Sequence, residues 1–186
     1  LEPHMLFNTL ANLRVLIGLD ASRAQAMLDH LIAFLRSTLS ASRQPAHPLA
    51  DEFRHLDDYL ALMAIRMGPR LQVSFDLPPE LATLPVPPLL LQPLVENAIK
   101  HGLEPKVAGG RIGISARRTG ETLSLTVRDT GIGPGAAPTA GTGFGLVQVR
   151  QRLATLHGSA ASLTLAPADD ADGGTLVTLV LPLPTP

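Results

Sequence analysis

Hydrophobic positions recur at helical spacing through the first third of the chain. Leu6, Leu10, Leu13 and Ile17 step by four, three and four, and Ala24, Leu28, Leu31 and Leu35 do the same. Phe53, Leu56, Leu60, Met63 and Met67 alternate steps of three and four. Near-heptad stepping of this kind makes the apolar seam of helices in a bundle or coiled coil. Asp20-Ala21-Ser22 marks one break in it. Gln44-Pro45-Ala46-His47-Pro48 marks another, where two prolines forbid a continuous helix. A third helix is predicted from near Leu49, with Asp51 and Glu52 favourable at the positive end of its dipole. It stops at Gly68-Pro69.

Beyond Pro69 the period falls to two. Leu71, Val73, Phe75 and Leu77 alternate with other residues, which predicts a strand with one buried face, ended by Pro78-Pro79. Ile112, Ile114 and Ala116, then Leu123, Leu125 and Val127, predict an antiparallel hairpin turning at Thr119-Gly120-Glu121. Ala161 to Leu165 and Leu176 to Leu181 predict two more strands, joined by the acidic turn Asp169 to Gly174. An amphipathic helix is predicted over Leu146 to Leu156.

The stretch Leu94 to Gly102 stands between these strands and sorts into two faces as a helix. Leu91, Leu94, Val95, Ala98 and Ile99 form an apolar stripe suited to packing on a sheet. Glu96, Asn97, Lys100 and His101 share the opposite side. A start near Pro88 keeps Pro93 close to the first turns, where proline is tolerated.

Composition narrows the class. The chain has 186 residues, 45% hydrophobic and 17% charged, enough for one or two small domains with a real core. Net charge is −1 with no run of Lys or Arg, so nothing favours nucleic acid or an anionic membrane as partner. The absence of Cys excludes disulfides and thiolate metal sites. No apolar run reaches membrane-helix length, and no signal peptide is present. The first residue is Leu and the sequence opens inside a helical pattern, as a fragment of a longer protein would.

The candidate chemistry lies at the edges of the predicted elements. On the polar face of the central helix, Asn97 offers a neutral oxygen to a hard cation and Lys100 a point charge to phosphate. Asp129-Thr130-Gly131-Ile132-Gly133 follows the second hairpin strand directly. A carboxylate there can accept from an exocyclic amine, and the glycines let backbone pass close to a flat ring. Pro134 to Thr142, rich in Gly, Ala and Pro, is predicted to be a mobile loop. It ends in Gly141-Thr142-Gly143-Phe144-Gly145-Leu146, a glycine-rich helix start that offers N–H groups to phosphate. His4 lies about 200° around its helix from Leu6, so it is predicted to point outward, with Asn8 one turn along. A neutral imidazole there carries a nucleophilic lone pair near pH 7.

In this order and spacing the pieces resemble the sensor histidine kinases of the LytS type, whose ATP domain belongs to the wider family of gyrase, Hsp90 and MutL. Pro3 to Asn8 is similar to the phosphoacceptor motif, with Met5 where Phe is usual. Leu94 to Gly102 resembles the N box, Asp129 to Gly133 the G1 box and Gly141 to Leu146 the G2 box. The resemblance implies an α+β fold: residues 1–68 as a dimerising helical bundle, residues 69–186 as an α/β sandwich with helices on one face of a mixed sheet. It implies autophosphorylation of His4 by ATP with Mg²⁺ and transfer to a response regulator, Asn8 serving at the phosphoacceptor. Asn97 would ligate Mg²⁺ on the phosphates, and Lys100 and His101 would face the phosphate chain. Asp129 would bind the adenine amine in a pocket shaped by Gly131 and Gly133 and supported by Thr175. Thr142, Gly143, Gly145 and Leu146 would belong to the lid over the phosphates. It further implies a homodimer and a cytoplasmic domain of a protein anchored in the bacterial inner membrane through segments this chain lacks. One departure is informative: hydrolytic relatives place a general-base Glu four residues before the Asn, where this chain has Pro93. The alternatives are an ATP-operated conformational clamp and a non-catalytic signalling scaffold of the same fold.

Overall fold

The computed structural model describes residues 3–134 and 144–183, with Pro3, His4 and Phe144 described by their backbone. Three helices come first, α1 (Pro3–Leu19), α2 (Ala21–Ala41) and α3 (Leu49–Met67). Asp20 separates the first two by capping α2, its carboxylate accepting from Arg23 N–H at 3.0 Å. Gly68, at a φ of 63°, turns the chain out of α3 in a conformation costly for other residues. The strands are β1 (His47–Pro48), β2 (Leu71–Asp76), β3 (Pro85–Val86), β4 (Gly110–Thr119), β5 (Thr122–Asp129), β6 (Ser162–Pro167) and β7 (Thr175–Pro182). The later helices are α4 (Gln92–Asn97), which runs on into a π-helical turn over Ala98–Leu103, and α5 (Phe144–His157).

β2, β4, β5, β7 and β6 form one sheet in that order, parallel between β2 and β4 and antiparallel elsewhere. Alternation decides its faces. Ile112, Ile114, Ala116, Leu123, Leu125, Val127, Val177, Leu179 and Leu181 are all buried, and their neighbours in sequence face the other way. Leu91, Leu94, Val95, Ala98 and Ile99 are buried in the same core, so the predicted apolar stripe holds. The result is the expected α+β architecture, a helical N-terminal region followed by a mixed sheet with helices on one face. A single core runs from Met5 and Phe34 through α3 to the sheet.

Two differences from the periodicity have clear causes. The buried face of α1 is Met5 and Thr9, with Leu6, Leu13 and Leu16 at its margins, whereas Leu10 and Ile17 are exposed. Apolar residues surround α1, so spacing alone does not single out one stripe. In α2 the inward set is Ala24, Met27, Leu31 and Phe34, and Leu28 faces out. The second difference is the pairing of β1 with β3, His47 opposite Val86 and Pro48 opposite Pro85. Proline-rich segments give no strand signal, because proline lacks a ladder donor.

Candidate functional site

Asp129 ends β5 and is 2% exposed. Its Oδ1 accepts Gly131 N–H at 2.9 Å. The antiparallel register sets Thr175 opposite it, and both the backbone and the side chain of Thr175 hydrogen-bond to its carboxylate. Burial raises the pKa of Asp129 above the ordinary carboxylate value, against the pull of Gly131 N–H, Arg128 and Thr175. A buried carboxylate with a perturbed pKa is a candidate site group, able to accept hydrogen bonds.

The surroundings admit no side chain. A Cβ on Gly102 would lie 2.7 Å from Asp129 Oδ1. On Gly131 it would lie 2.3 Å from the Gly102 carbonyl carbon, and on Gly174 2.1 Å from Asp129 O. Ile132 N–H donates to Gly102 O at 3.0 Å, stitching this loop to the end of the central helix. Gly133, at a φ of 84°, turns the chain away. Arg128 holds the 169–174 turn that delivers Thr175, donating to Asp170 Oδ1 and Gly173 O at 2.7 Å each. Gly131→Ala is expected to cost about 1–3 kcal/mol, because backbone on both sides must shift. Thermal unfolding measures it, and an unchanged midpoint would show that the loop moves freely.

The helix carrying Asn97 is fixed at its start. It begins at Gln92, later than Pro88, and Pro93 sits in its first turn, where a missing N–H costs little. The chain ahead of it is strained: Leu89 has a φ of 57°, rare for a branched side chain. Glu52, on α3, holds that conformation. Its carboxylate is wholly buried and accepts Leu89 N–H at 2.9 Å and Leu91 N–H at 2.8 Å. His47 Nε2 lies 2.8 Å from the same carboxylate. From the other side Arg152 of α5 donates to Pro88 O at 2.6 Å. Glu52 thus serves as a buried clamp, not the exposed helix-start carboxylate that its position in sequence suggests.

The described candidate residues fall into four groups. Asp129, Gly131, Gly133 and Thr175 come together with Gly102 and Gly174. Asn97 closes α4, half-buried, and Lys100 and His101 lie in the π-helical turn that ends at Leu103, beside Gly102. Such turns widen a helix by one residue and recur at functional sites. At the start of α5 a Cβ on Gly145 would lie 3.5 Å from Pro93 Cβ, an ordinary contact, and Leu146 packs against the core. Thr142 and Gly143, with most of the glycine-rich loop, lie outside the described residues. His4 and Asn8 belong to a separate element, α1, which packs on α2 and α3. Sequence reasoning gave no role to Gly174, His47, His55 and Gln92, placed Gly102 only at the end of the central helix, and read Glu52 only as an acid in the first turn of its helix. A Gly followed by Thr175 was the only signal for Gly174, and none marked Glu52, since its partners are backbone N–H groups 37 and 39 residues away.

Known proteins resemble this chain along nearly its whole length. Residues 88–185 match the family model of the histidine kinase-, DNA gyrase B-, and HSP90-like ATPases. Residues 1–71 match the histidine kinase model. The chain is 37% identical over 183 residues to the sensor histidine kinase BtsS of Escherichia coli K12, covering 97% of this chain and 32% of that protein. It is 31% identical to the sensor protein LytS of Oceanobacillus iheyensis, covering 98% and 33%. The chain therefore spans about a third of the length of these relatives. Among solved structures, the catalytic domain of histidine kinase ThkA superposes with a TM-score of 0.57 at 18% identity, over 74% of this chain and 94% of that one. The blue-light activated histidine kinase of Erythrobacter litoralis gives 0.52 at 19% identity, over 98% and 63%. These two show the fold. The chain belongs to the histidine kinase-, DNA gyrase B-, and HSP90-like ATPase family.

Proposed function

We propose that this chain is the catalytic region of a two-component sensor kinase: residues 69–186 bind ATP with Mg²⁺, and residues 1–68 present His4 as the phosphoryl acceptor. The observation that carries the reading is Asp129, a buried carboxylate braced by Thr175 and Gly131 N–H within a wall of glycine backbone. It suits the amine edge of a flat adenine. Asn97, Lys100 and His101 would lie along the phosphates. Among the described residues no group of three or more His, Asp or Glu could hold a metal by itself. Mg²⁺ would therefore come with the phosphates, taking one oxygen from Asn97. Bound there, it would neutralise phosphate charge. Pro93 stands where hydrolytic relatives keep a base, which favours transfer to His4 over hydrolysis. Incubation with γ-labelled ATP tests the reading. Acid-labile, base-stable label on the protein supports it. Free phosphate or nucleotide-driven dimer changes without label would point to a clamp, and none of these to a scaffold.

The roles of Asp129 and Asn97 separate in binding measurements. Asp129→Asn replaces an acceptor with a donor and is expected to weaken ADP with or without metal and to relax adenine selectivity. Asn97→Asp is expected to disturb chiefly metal-dependent binding. Because the pKa of Asp129 is raised, it takes up its proton above the usual carboxylate range as pH falls. ADP affinity should fall with it in the wild type and stay flat in Asp129→Asn. Calorimetry showing equal losses in both variants would refute the division.

The reading includes a homodimer. Phe7, Leu10 and Ile17 on α1 and Leu28, Ile32 and Leu39 on α2 are exposed at heptad-like spacing, which supports a seam between two copies. Leu31, by contrast, is 3% exposed inside the chain, so a polar substitution there would test folding. Ile17→Asp with Leu28→Asp is expected to give monomers by light scattering with little change in unfolding temperature. A monomeric wild type would contradict the seam. The acceptor of the phosphoryl group would be a response regulator. No described helix is long and apolar enough to cross a membrane, and the reading assigns anchoring in the bacterial inner membrane to other parts of the full-length protein.

A further inference from the structure

We infer that His55 is a positioning residue that couples the phosphoacceptor helices to the Asn97 helix through a continuous chain of side-chain hydrogen bonds, Ser37–His55–Gln92–Glu96. The chain crosses three elements. Ser37 Oγ, on α2, lies 2.5 Å from His55 Nδ1 on α3. His55 Nε2 lies 2.7 Å from Gln92 Oε1, in the first turn of α4. Gln92 Nε2 donates to Glu96 Oε1 at 2.7 Å, one turn further and next to Asn97. His55 and Gln92 are 2% and 5% exposed, so water does not compete for these bonds.

The donors run one way. Gln92 gives its N–H to Glu96, so its carbonyl oxygen faces His55 and accepts the Nε2 proton. Burial lowers the pKa of His55 and keeps the ring neutral at pH 7, which leaves Nδ1 a lone pair. Ser37 O–H is the donor that reaches it. Ser37 Oγ is also 2.9 Å from Phe34 O, so the hydroxyl has a second acceptor within its own helix. The chain therefore has two arrangements at its α2 end, with the hydroxyl turned to His55 or to Phe34. Which one prevails depends on how α2 sits on α3. Phe34 stacks on the His55 ring at 4.7 Å and 19°, so a movement of α2 displaces the ring. Packing alone does not call for such a chain, since apolar side chains would fill this junction at no desolvation cost. Its arm beside Asn97 gives Glu96 a role: its carboxylate joins the Asn97 helix to a relay from the helices that present His4.

The test rests on the kinase reading but carries one readout that does not. His55→Phe keeps the stack on Phe34 and removes both hydrogen bonds. Label transfer from saturating ATP to His4 is expected to slow about tenfold. ADP affinity should stay within about twofold, because the nucleotide pocket is untouched. His55→Gln keeps a donor for Gln92 and should recover part of the rate. Ser37→Ala should slow transfer in the same direction and add nothing on top of His55→Phe. An unchanged rate in His55→Phe, or a loss of ADP affinity as large as the loss of rate, overturns the inference. If His55→Phe does not fold, Ser37→Ala decides by the same two measurements. Independently, ADP–Mg²⁺ should slow amide exchange over residues 34–39 in the wild type and not in His55→Phe or Ser37→Ala. If the wild type takes up no label, the kinase reading fails and exchange still decides the relay. Identical exchange changes in wild type and variants overturn it.

Discussion

His4→Gln is expected to abolish acid-labile labelling from γ-labelled ATP and to leave ADP affinity unchanged. Transfer needs a neutral ring nitrogen in line with the γ-phosphorus, and glutamine offers no such nitrogen at any pH. Binding should survive because the Asp129 cluster is assembled from β5, β7 and the end of the central helix, with no contribution from α1. Asn8 shares the helix one turn on and is half-buried beside Thr9, whose hydroxyl bonds back to Met5 O at 2.9 Å. Asn8→Ala is expected to keep autophosphorylation and to slow loss of phosphate from the partner regulator. Label persisting in His4→Gln would refute the acceptor assignment. A loss in Asn8→Ala as severe as in His4→Gln would move Asn8 into the transfer step.

Glu52→Ala should be strongly destabilising, costing about 3–5 kcal/mol. It removes three hydrogen bonds at once, strands His47 and two backbone N–H groups in the core, and releases the strained φ of Leu89. The unfolding midpoint should drop on the order of 10 °C. Because Leu89 and Leu91 lead directly into α4, ADP affinity should fall as well. Glu52→Gln, which keeps one acceptor oxygen, should recover part of both. A midpoint within about 1 °C of wild type would show that the clamp contributes little beyond packing.

Most of the architecture was legible because each element obeys one period. The strand alternation at Ile112–Ala116, Leu123–Val127 and Leu176–Leu181 names the inward residues, and the stripe Leu91–Ile99 names the face of α4 that meets them. Asp129 was legible as a carboxylate at a strand end between glycines. α1 was not, because apolar residues surround it and the choice of Met5 and Thr9 as its inner face depends on where α2 and α3 lie. β1 and β3 were invisible, since their pairing uses prolines that carry no local strand signal.

The sequence by itself determined the local periods, the breaks and the order of the three candidate motifs, all of which are properties of neighbours in the chain. What it left open depends on distance in space. Glu52 looks like any helix-start acid until the fold brings it to the N–H groups of Leu89 and Leu91 and removes it from water. His55 and Gln92 look like polar residues on two helices until a 2.7 Å contact joins them. Gly102 and Gly174 show no role until Asp129 Oδ1 and Asp129 O occupy the space their Cβ atoms would need, and the backbone of Gly102 does the same to Gly131. A buried polar group acquires its role from the partner that satisfies it, and for these residues the partner lies far along the chain.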